Sequence, residues 1–192
     1  MCSCKENDIR REENSYQIIS VLYNRMAVPI PAPFPPLKEG ITETDSLNIA
    51  HMVENIRKKQ ENRKFIVAVD PFLIPVDNIE INTQELNPEL KSLFSMLTSI
   101  NGKKRLDILK IRGERNDSII AYNDSLTKGK CDFIKFDRRI NFSRISFNEN
   151  LTSAAVIGSA STSCLAGAAS LYFLEKKNGY WEVIKIILLS VA

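Results

Sequence analysis

His51 is the only histidine in the chain, so any Ser-His-Asp or Cys-His catalytic arrangement would have to use it. It falls in the middle of a predicted helix, at the edge of an apolar stripe, and not on a loop where a base can reach a substrate. These features favour a partly exposed structural histidine. A metal site with two histidine ligands is excluded by the count. We therefore predict no catalytic residue, no metal and no cofactor.

Cys164, in the run Ser-Thr-Ser-Cys-Leu-Ala-Gly, is the best candidate nucleophile. Small residues around it would leave room for a ligand, but no neighbouring cation is present to lower the thiol pKa. Packing or a disulfide is the favoured explanation for this residue. In an oxidising compartment Cys164 could pair with Cys131. The alternative, which we favour, is two buried free thiols.

Other reactive patterns are incomplete. The run Gly158-Ser-Ala-Ser-Thr lacks the second glycine of a nucleophile elbow. The acidic residues in the second half of the chain lack the internal glycine and closing glutamate of a calcium loop. They are predicted to be turn formers and surface charges: Asp117, Asp124, Asp132 and Asp137.

Cys2 and Cys4 lie at the start of the chain, within Met-Cys-Ser-Cys. Ser3-Cys4 followed by a polar, charged run resembles the end of a bacterial lipoprotein signal. One hypothesis is that Met1 is an internal methionine of a longer precursor and that Cys4 carries the lipid. Residues 1–14 would then be a flexible tether. The alternative is an ordinary cytosolic N-terminus that carries two cysteines.

The composition is that of a globular protein, with 44% hydrophobic and 26% charged residues and a net charge of +3. The basic clusters have acidic neighbours and no interleaved aromatic residues, so we expect no nucleic-acid partner. The stretch from Asn150 to Leu174 lacks charge and is long enough to cross a bilayer. Its many serines, threonines and glycines make insertion unfavourable. We predict two half-buried strands there.

Three helices are predicted in the first half of the chain. The first begins at Asn14 or Ser15 and ends near Met26, the second covers Thr44–Glu61, and the third is capped by Asn87 and ends at Asn101-Gly102. Between the first two, five prolines over residues 29–36 form either a polyproline recognition motif or a stiff arm on the protein's own surface. The arm is favoured because apolar residues are interleaved with the prolines.

The second half alternates in hydrophobicity with a period of two, which is typical of strands. Asn178-Gly179 tolerates the positive φ angles of a tight hairpin. After it, one of Tyr180 and Trp181 should face the core. The sequence therefore predicts an α+β fold, with N-terminal helices against a C-terminal antiparallel β-sheet in a meander, as one domain over residues 15–192. The strands are predicted at 65–69, 106–111, 118–122, 131–136, 140–147, 154–161, 168–175 and 180–191.

Three runs carry a resemblance: Phe-Ser-Arg-Ile-Ser-Phe-Asn at 142–148, Ala-Ala-Val at 154–156, and Leu-Tyr-Phe-Leu-Glu-Lys-Lys-Asn-Gly-Tyr-Trp-Glu-Val at 171–183. They resemble the C-terminal part of a group of bacterial proteins common in Bacteroidota, many of them predicted lipoproteins. The resemblance covers about the last third of the chain. It implies a lipid on Cys4 and no particular activity. At the bend between the second and third runs, members of the group often have two cysteines together with glycines. This chain has only Cys164 and Gly167 there.

The leading hypothesis is a non-enzymatic cell-envelope protein, tethered through Cys4, that binds an unidentified protein or small ligand. The membrane would be contacted only through the lipid anchor, and a cytoplasmic location is the alternative. A hydrolase that uses Cys164 or carboxylates brought together by folding is a second hypothesis. An immunity or inhibitor protein is a third, in which the fold presents a surface instead of a pocket.

Overall fold

The chain forms two compact units, residues 1–27 with 65–192 and residues 28–64. In the second unit, helix α2 covers residues 49–55. The helix predicted at Thr44–Glu61 is therefore confirmed over residues 49–55. Most of the other residues of this prediction, and the proline-rich run, lie outside the described part of the structure. The computed structural model describes residues 3–28, 49–55, 58, 63–77, 79–128, 132–133, 135–163 and 166–191.

In its described residues the first unit has two helices, α1 (Ser3–Met26) and α3 (Pro88–Ser99). Short 3-10 turns lie between the strands, at Thr83–Glu85, Ile108–Lys110 and Asp124–Leu126. The strands are β1 (Ile66–Val69), β2 (Phe72–Leu73), β3 (Lys104–Arg105), β4 (Ser118–Ala121), β5 (Thr127–Lys128), β6 (Asp132–Phe133), β7 (Arg138–Phe147), β8 (Ser153–Ser163), β9 (Ala166–Lys177) and β10 (Tyr180–Val191).

One six-stranded sheet, in the order β10-β9-β8-β7-β1-β4, organises this unit. Strands β7 to β10 form an antiparallel meander, which confirms the predicted α+β class. The hairpin turn before β10 has φ values of 51° at Asn178 and 87° at Gly179, as predicted. Strand β1 adds a feature that was not predicted, because it runs parallel to both β7 and β4.

Helices α1 and α3 cover opposite faces of the sheet. Ile18 and Leu22 of α1 are fully buried on the face that also carries Leu174. Leu93 of α3 packs on the other face with Phe173, the neighbour of Leu174 in β9. Successive side chains of a strand point to opposite faces, so each central strand contributes to both cores.

The predicted start of the first helix at Asn14 or Ser15 is wrong, because α1 begins at Ser3. The residues predicted as a flexible tether are therefore helical from Ser3 onward. Asn14 and Ser15 do not cap a helix end. The Asn14 amide donates to the Arg10 carbonyl at 2.7 Å, and the Ser15 hydroxyl donates to the Arg11 carbonyl at 2.7 Å. Both side chains thus bond to the preceding helical turn.

The strand predicted at residues 106–111 is also wrong, because Ile108–Lys110 forms a 3-10 turn. The Asp107 carboxylate accepts a hydrogen bond from the Leu109 amide at 3.1 Å and caps this turn. The backbone amides of Leu109, Lys110 and Ile111, which a strand would offer to a neighbour, are consequently used within the turn. Leu106 and Ile111 remain buried at either end of the segment.

Most other predicted elements are confirmed. Asn87 caps α3 by accepting a bond from the Leu90 amide at 2.9 Å, and Pro88 takes the first helical position. The uncharged stretch forms most of β8 and β9. Strands β1, β4, β7 and β10 match their predictions, and β6 matches part of the 131–136 run. Among the described residues, no helix combines the length and the apolar character needed to span a membrane.

Candidate functional site

An open groove of about 1130 Å³ runs along the solvent side of α1; we call it the α1 groove. Its floor is a row of residues spaced four apart along the helix, Ile9, Glu13, Gln17 and Val21. This spacing places the four side chains on one face. One wall is formed by residues 109–114, and the other includes the hairpin residues 179–181.

The first wall is attached to α1 by hydrogen bonds from its backbone. The Arg112 amide donates to the Ser20 hydroxyl at 3.0 Å. The Glu114 amide donates to the Asn24 side-chain oxygen at 2.8 Å, and the Asn24 amide group donates to the Arg112 carbonyl at 3.1 Å. Ser20 and Asn24 are one helical turn apart, so the wall follows the direction of the helix.

A charged pair closes this wall near the N-terminal half of α1. Lys110 Nζ donates to the Glu12 carboxylate at 2.9 Å and lies 4.9 Å from the centroid of the Tyr16 ring. The hydrogen bond from Lys110 lowers the pKa of Glu12, and the same bond raises the pKa of Lys110. Both groups are therefore charged at neutral pH. Because the pKa values of Glu12 and Lys110 are shifted away from neutrality, the pair is suited to binding and not to acting as a general acid or base.

The opposite wall is fixed by Asn14. Its side-chain oxygen accepts hydrogen bonds from the Trp181 indole at 3.0 Å and from Lys176 Nζ at 2.8 Å. Trp181 is buried against Phe147, with ring centroids 6.0 Å apart, while Tyr180 is 77% exposed. The prediction that one of this aromatic pair is in the core and the other faces outward is confirmed.

Tyr23 lies beneath the first wall. A Cβ atom at Gly113 would stand 3.1 Å from Tyr23 Cε1, so the glycine allows the wall to lie against the ring. The Tyr23 hydroxyl is buried and makes no hydrogen bond within the described structure. Its burial, together with the nearby Asp117 carboxylate, raises the pKa of Tyr23 to about 12.

We expect Tyr23→Phe to leave stability at pH 7 unchanged or raise it by about 1 kcal/mol, because it removes a buried hydroxyl without a partner. Above pH 10 the wild-type chain should lose stability, because Tyr23 ionises at a lower pH in the unfolded chain than in the folded one. The loss should reach on the order of 2 to 3 kcal/mol at pH 12. Urea unfolding at several pH values measures both effects. If Tyr23→Phe loses as much stability as the wild type between pH 10 and 12, the loss does not come from Tyr23.

The prediction that Asp117 is a surface charge is wrong. Its side chain is 3% exposed and bonds to Arg115 Nε at 3.1 Å and to the Phe65 amide at 2.9 Å. Asp137 accepts a bond from the Ile66 amide at 2.9 Å. These two carboxylates hold the start of β1 between its neighbouring strands.

The residues singled out from sequence include His51, Cys4, Cys131 and Cys164. His51 is exposed on α2. The backbone of Cys4 is in the first turn of α1, and its side chain lies outside the described part of the structure, as do Cys131 and Cys164. The lipid, the disulfide and the reactive thiol stay predictions. Over the ranges that the structure describes, no group of three or more His, Cys, Asp or Glu residues is placed to hold a metal ion.

The α1 groove itself was not predicted. Ser20 and Asn24 are polar residues one turn apart on a helix, and such spacing is the only signal of this attachment in the sequence. The groove combines exposed aliphatic and aromatic side chains with fixed charges on its walls. Comparisons with protein-family models, with curated proteins and with solved structures find no match for this chain.

Proposed function

We propose that this chain is a non-enzymatic binding module of the cell envelope and that its α1 groove binds a segment of a partner protein. The observation that supports the proposal is the groove, whose accessible apolar side chains stand among charges fixed by hydrogen bonds. Binding sites on proteins combine apolar contact area with a few placed polar groups in this way. Tyr180 and Leu109, both strongly exposed, supply contact area on opposite walls.

The shape of the groove favours an elongated occupant. From Ile9 to Val21 the floor follows α1 for about 18 Å. That length accommodates about five residues of an extended chain or three turns of a helix. Since the groove is open to solvent, a segment could lie in it while the rest of its protein stays outside.

The polar groups give the groove a recognisable charge pattern. Glu13 is exposed in the middle of the floor, and Arg112 is exposed on the first wall. Glu12 and Lys110 already neutralise each other. A segment with a basic residue opposite Glu13 and an acidic residue opposite Arg112 would complement these charges.

The proposal places the protein in the envelope through a lipid on Cys4. The Met-Cys-Ser-Cys start and the resemblance of the C-terminal runs support this location. Residues 6–13 of α1 are largely exposed, and Asn14 is the first buried residue from residue 6 onward. From Cys4 to Asn14 the helix would act as a stiff spacer of about 15 Å. A cytoplasmic location is the alternative.

Photocrosslinking from the floor of the groove tests the binding proposal. A photoreactive amino acid at Gln17, in the protein expressed from its native locus, should give a discrete crosslinked species. The same amino acid at Gln84, an exposed glutamine on the 3-10 turn Thr83–Glu85, is the matched control and should not give it. Adding Glu13→Arg should weaken the Gln17 product. Identical products from both positions, or none from Gln17, would refute binding in the groove.

The same cells test the anchor. A mature chain that begins at Cys4, carries added acyl mass and partitions into detergent would support the envelope location. An unmodified chain beginning at Met1 in the aqueous phase would refute the envelope location. It would not bear on the groove proposal.

A further inference from the structure

A second surface lies at the outer edge of the first wall, in residues 103–112; we call it the Leu109 tip. Leu109 is 89% exposed, which is unusual for a leucine. It lies in the 3-10 turn Ile108–Lys110, so its backbone is held in place. The exposure is thus a property of an ordered turn.

The neighbouring apolar residues hold the tip onto the core. Leu106 and Ile111 are buried, and Ile108 packs against the same core. In a 3-10 turn, residues three apart lie above one another, which directs Ile108 and Ile111 inward together. Leu109 is left pointing to solvent. Burying it would take no rearrangement of the fold, only a partner surface.

The charge around Leu109 indicates the kind of partner. Five basic side chains surround it in sequence, all exposed, against the single carboxylate of Asp107: Lys103, Lys104, Arg105, Lys110 and Arg112. Glu12 neutralises Lys110. Asp107 is used to cap the turn. Asp107 keeps its negative charge, so the four remaining cations leave the rim of the tip with an excess of positive charge.

A second exposed aliphatic residue lies on the same side. Ile9 of α1 is 60% exposed and lines the same groove as Leu109. Exposed aliphatic residues ringed by lysine and arginine are the features that bind proteins to anionic membrane surfaces, where the apolar groups enter the interface and the cations meet lipid headgroups.

We propose that the Leu109 tip docks on an anionic lipid bilayer, with Leu109 inserted and the basic side chains on the headgroups. This contact does not require a lipid on Cys4, although a lipid there would bring the tip to the same surface. Leu109 and Arg112 also line the α1 groove, so a bilayer bound at the tip and a segment bound in the groove would compete for these two residues.

Vesicle flotation of the full chain carrying Cys4→Ser tests the tip alone. We expect the protein to float with vesicles of about three parts phosphatidylcholine to one part phosphatidylglycerol, and not with phosphatidylcholine alone. High salt should release it. Leu109→Glu should lower the partition coefficient by about tenfold to a hundredfold, the effect of losing one inserted leucine. The double variant Lys104→Gln/Arg105→Gln should lower it by about thirtyfold.

Val191→Glu is the matched control, because Val191 is 71% exposed at the end of β10. It should bind vesicles like the parent. Circular dichroism confirms that each variant is folded. Failure of the parent to float with the anionic vesicles, or equal flotation of the Leu109→Glu and Val191→Glu variants, would overturn the proposal. Crosslinking from Gln17 is independent of this result, so the tip and the groove can fail separately.

Discussion

Asn14→Ala should lower the free energy of unfolding by about 2 to 4 kcal/mol. The single side-chain oxygen of Asn14 accepts from the buried Trp181 indole and from Lys176 Nζ. Removing it leaves a buried N–H and a partly buried ammonium without this acceptor, and each unpaired group costs about 1 to 3 kcal/mol. Urea denaturation at pH 7 measures the loss.

A double-mutant cycle separates the hydrogen bond from the helix. Trp181→Phe keeps a buried ring and removes the indole donor. If the bond carries the effect, Asn14→Ala should cost less in the Trp181→Phe background, by about 1 kcal/mol. Ser15→Ala, one residue along α1, is the control and should change stability by less than about 0.5 kcal/mol. Equal costs for the two alanine variants would contradict the role of Asn14.

Arg138→Met should destabilise the protein by about 2 to 4 kcal/mol. Arg138 is 7% exposed, and its guanidinium donates to the Met26 carbonyl, the last residue of α1. Burial lowers the pKa of Arg138, while Asp117 opposes that change. Methionine fills similar space but leaves a carbonyl at the helix end without this donor, and it removes a charge that compensates Asp117. Thermal and urea unfolding report the change.

The adjacent arginine provides a control with the same loss of charge. Arg139 lies on the other face of β7, where it bonds to Asp70 at 3.3 Å and stacks on Tyr122 with its guanidinium carbon 3.6 Å from the ring centroid. Because that pair is partly exposed, Arg139→Met should cost only about 1 kcal/mol. Losses of similar size at both positions would show that net charge, and not the bond to α1, explains the result.

The strands of the meander could be predicted because their information is local. Strand β10 alternates between more and less exposed positions from Tyr180 onward, and Asn178-Gly179 specifies its own turn. The parallel placement of β1 could not be predicted in this way. Val67 pairs with Ile119 on one side and with Arg138 on the other. The sequence of a four-residue apolar strand does not specify which distant strands will pair with it.

Helix α1 shows a different limit. Asn14 and Ser15 are residue types that cap helices, so they predicted a start that does not exist. Asn14 instead bonds to Trp181, a residue at the other end of the chain. The α1 groove escaped prediction for the same reason. Its floor comes from one helix and its walls from two remote turns, so no single stretch of sequence contains it.

The contact between Asn14 and Trp181 also bears on how the chain is made. The two residues are 167 positions apart, and the sheet that receives α1 includes the last strand. During synthesis the apolar side of α1 cannot be fully covered until the end of the chain has left the ribosome. We therefore expect this unit to complete its folding only after β10 has been synthesised.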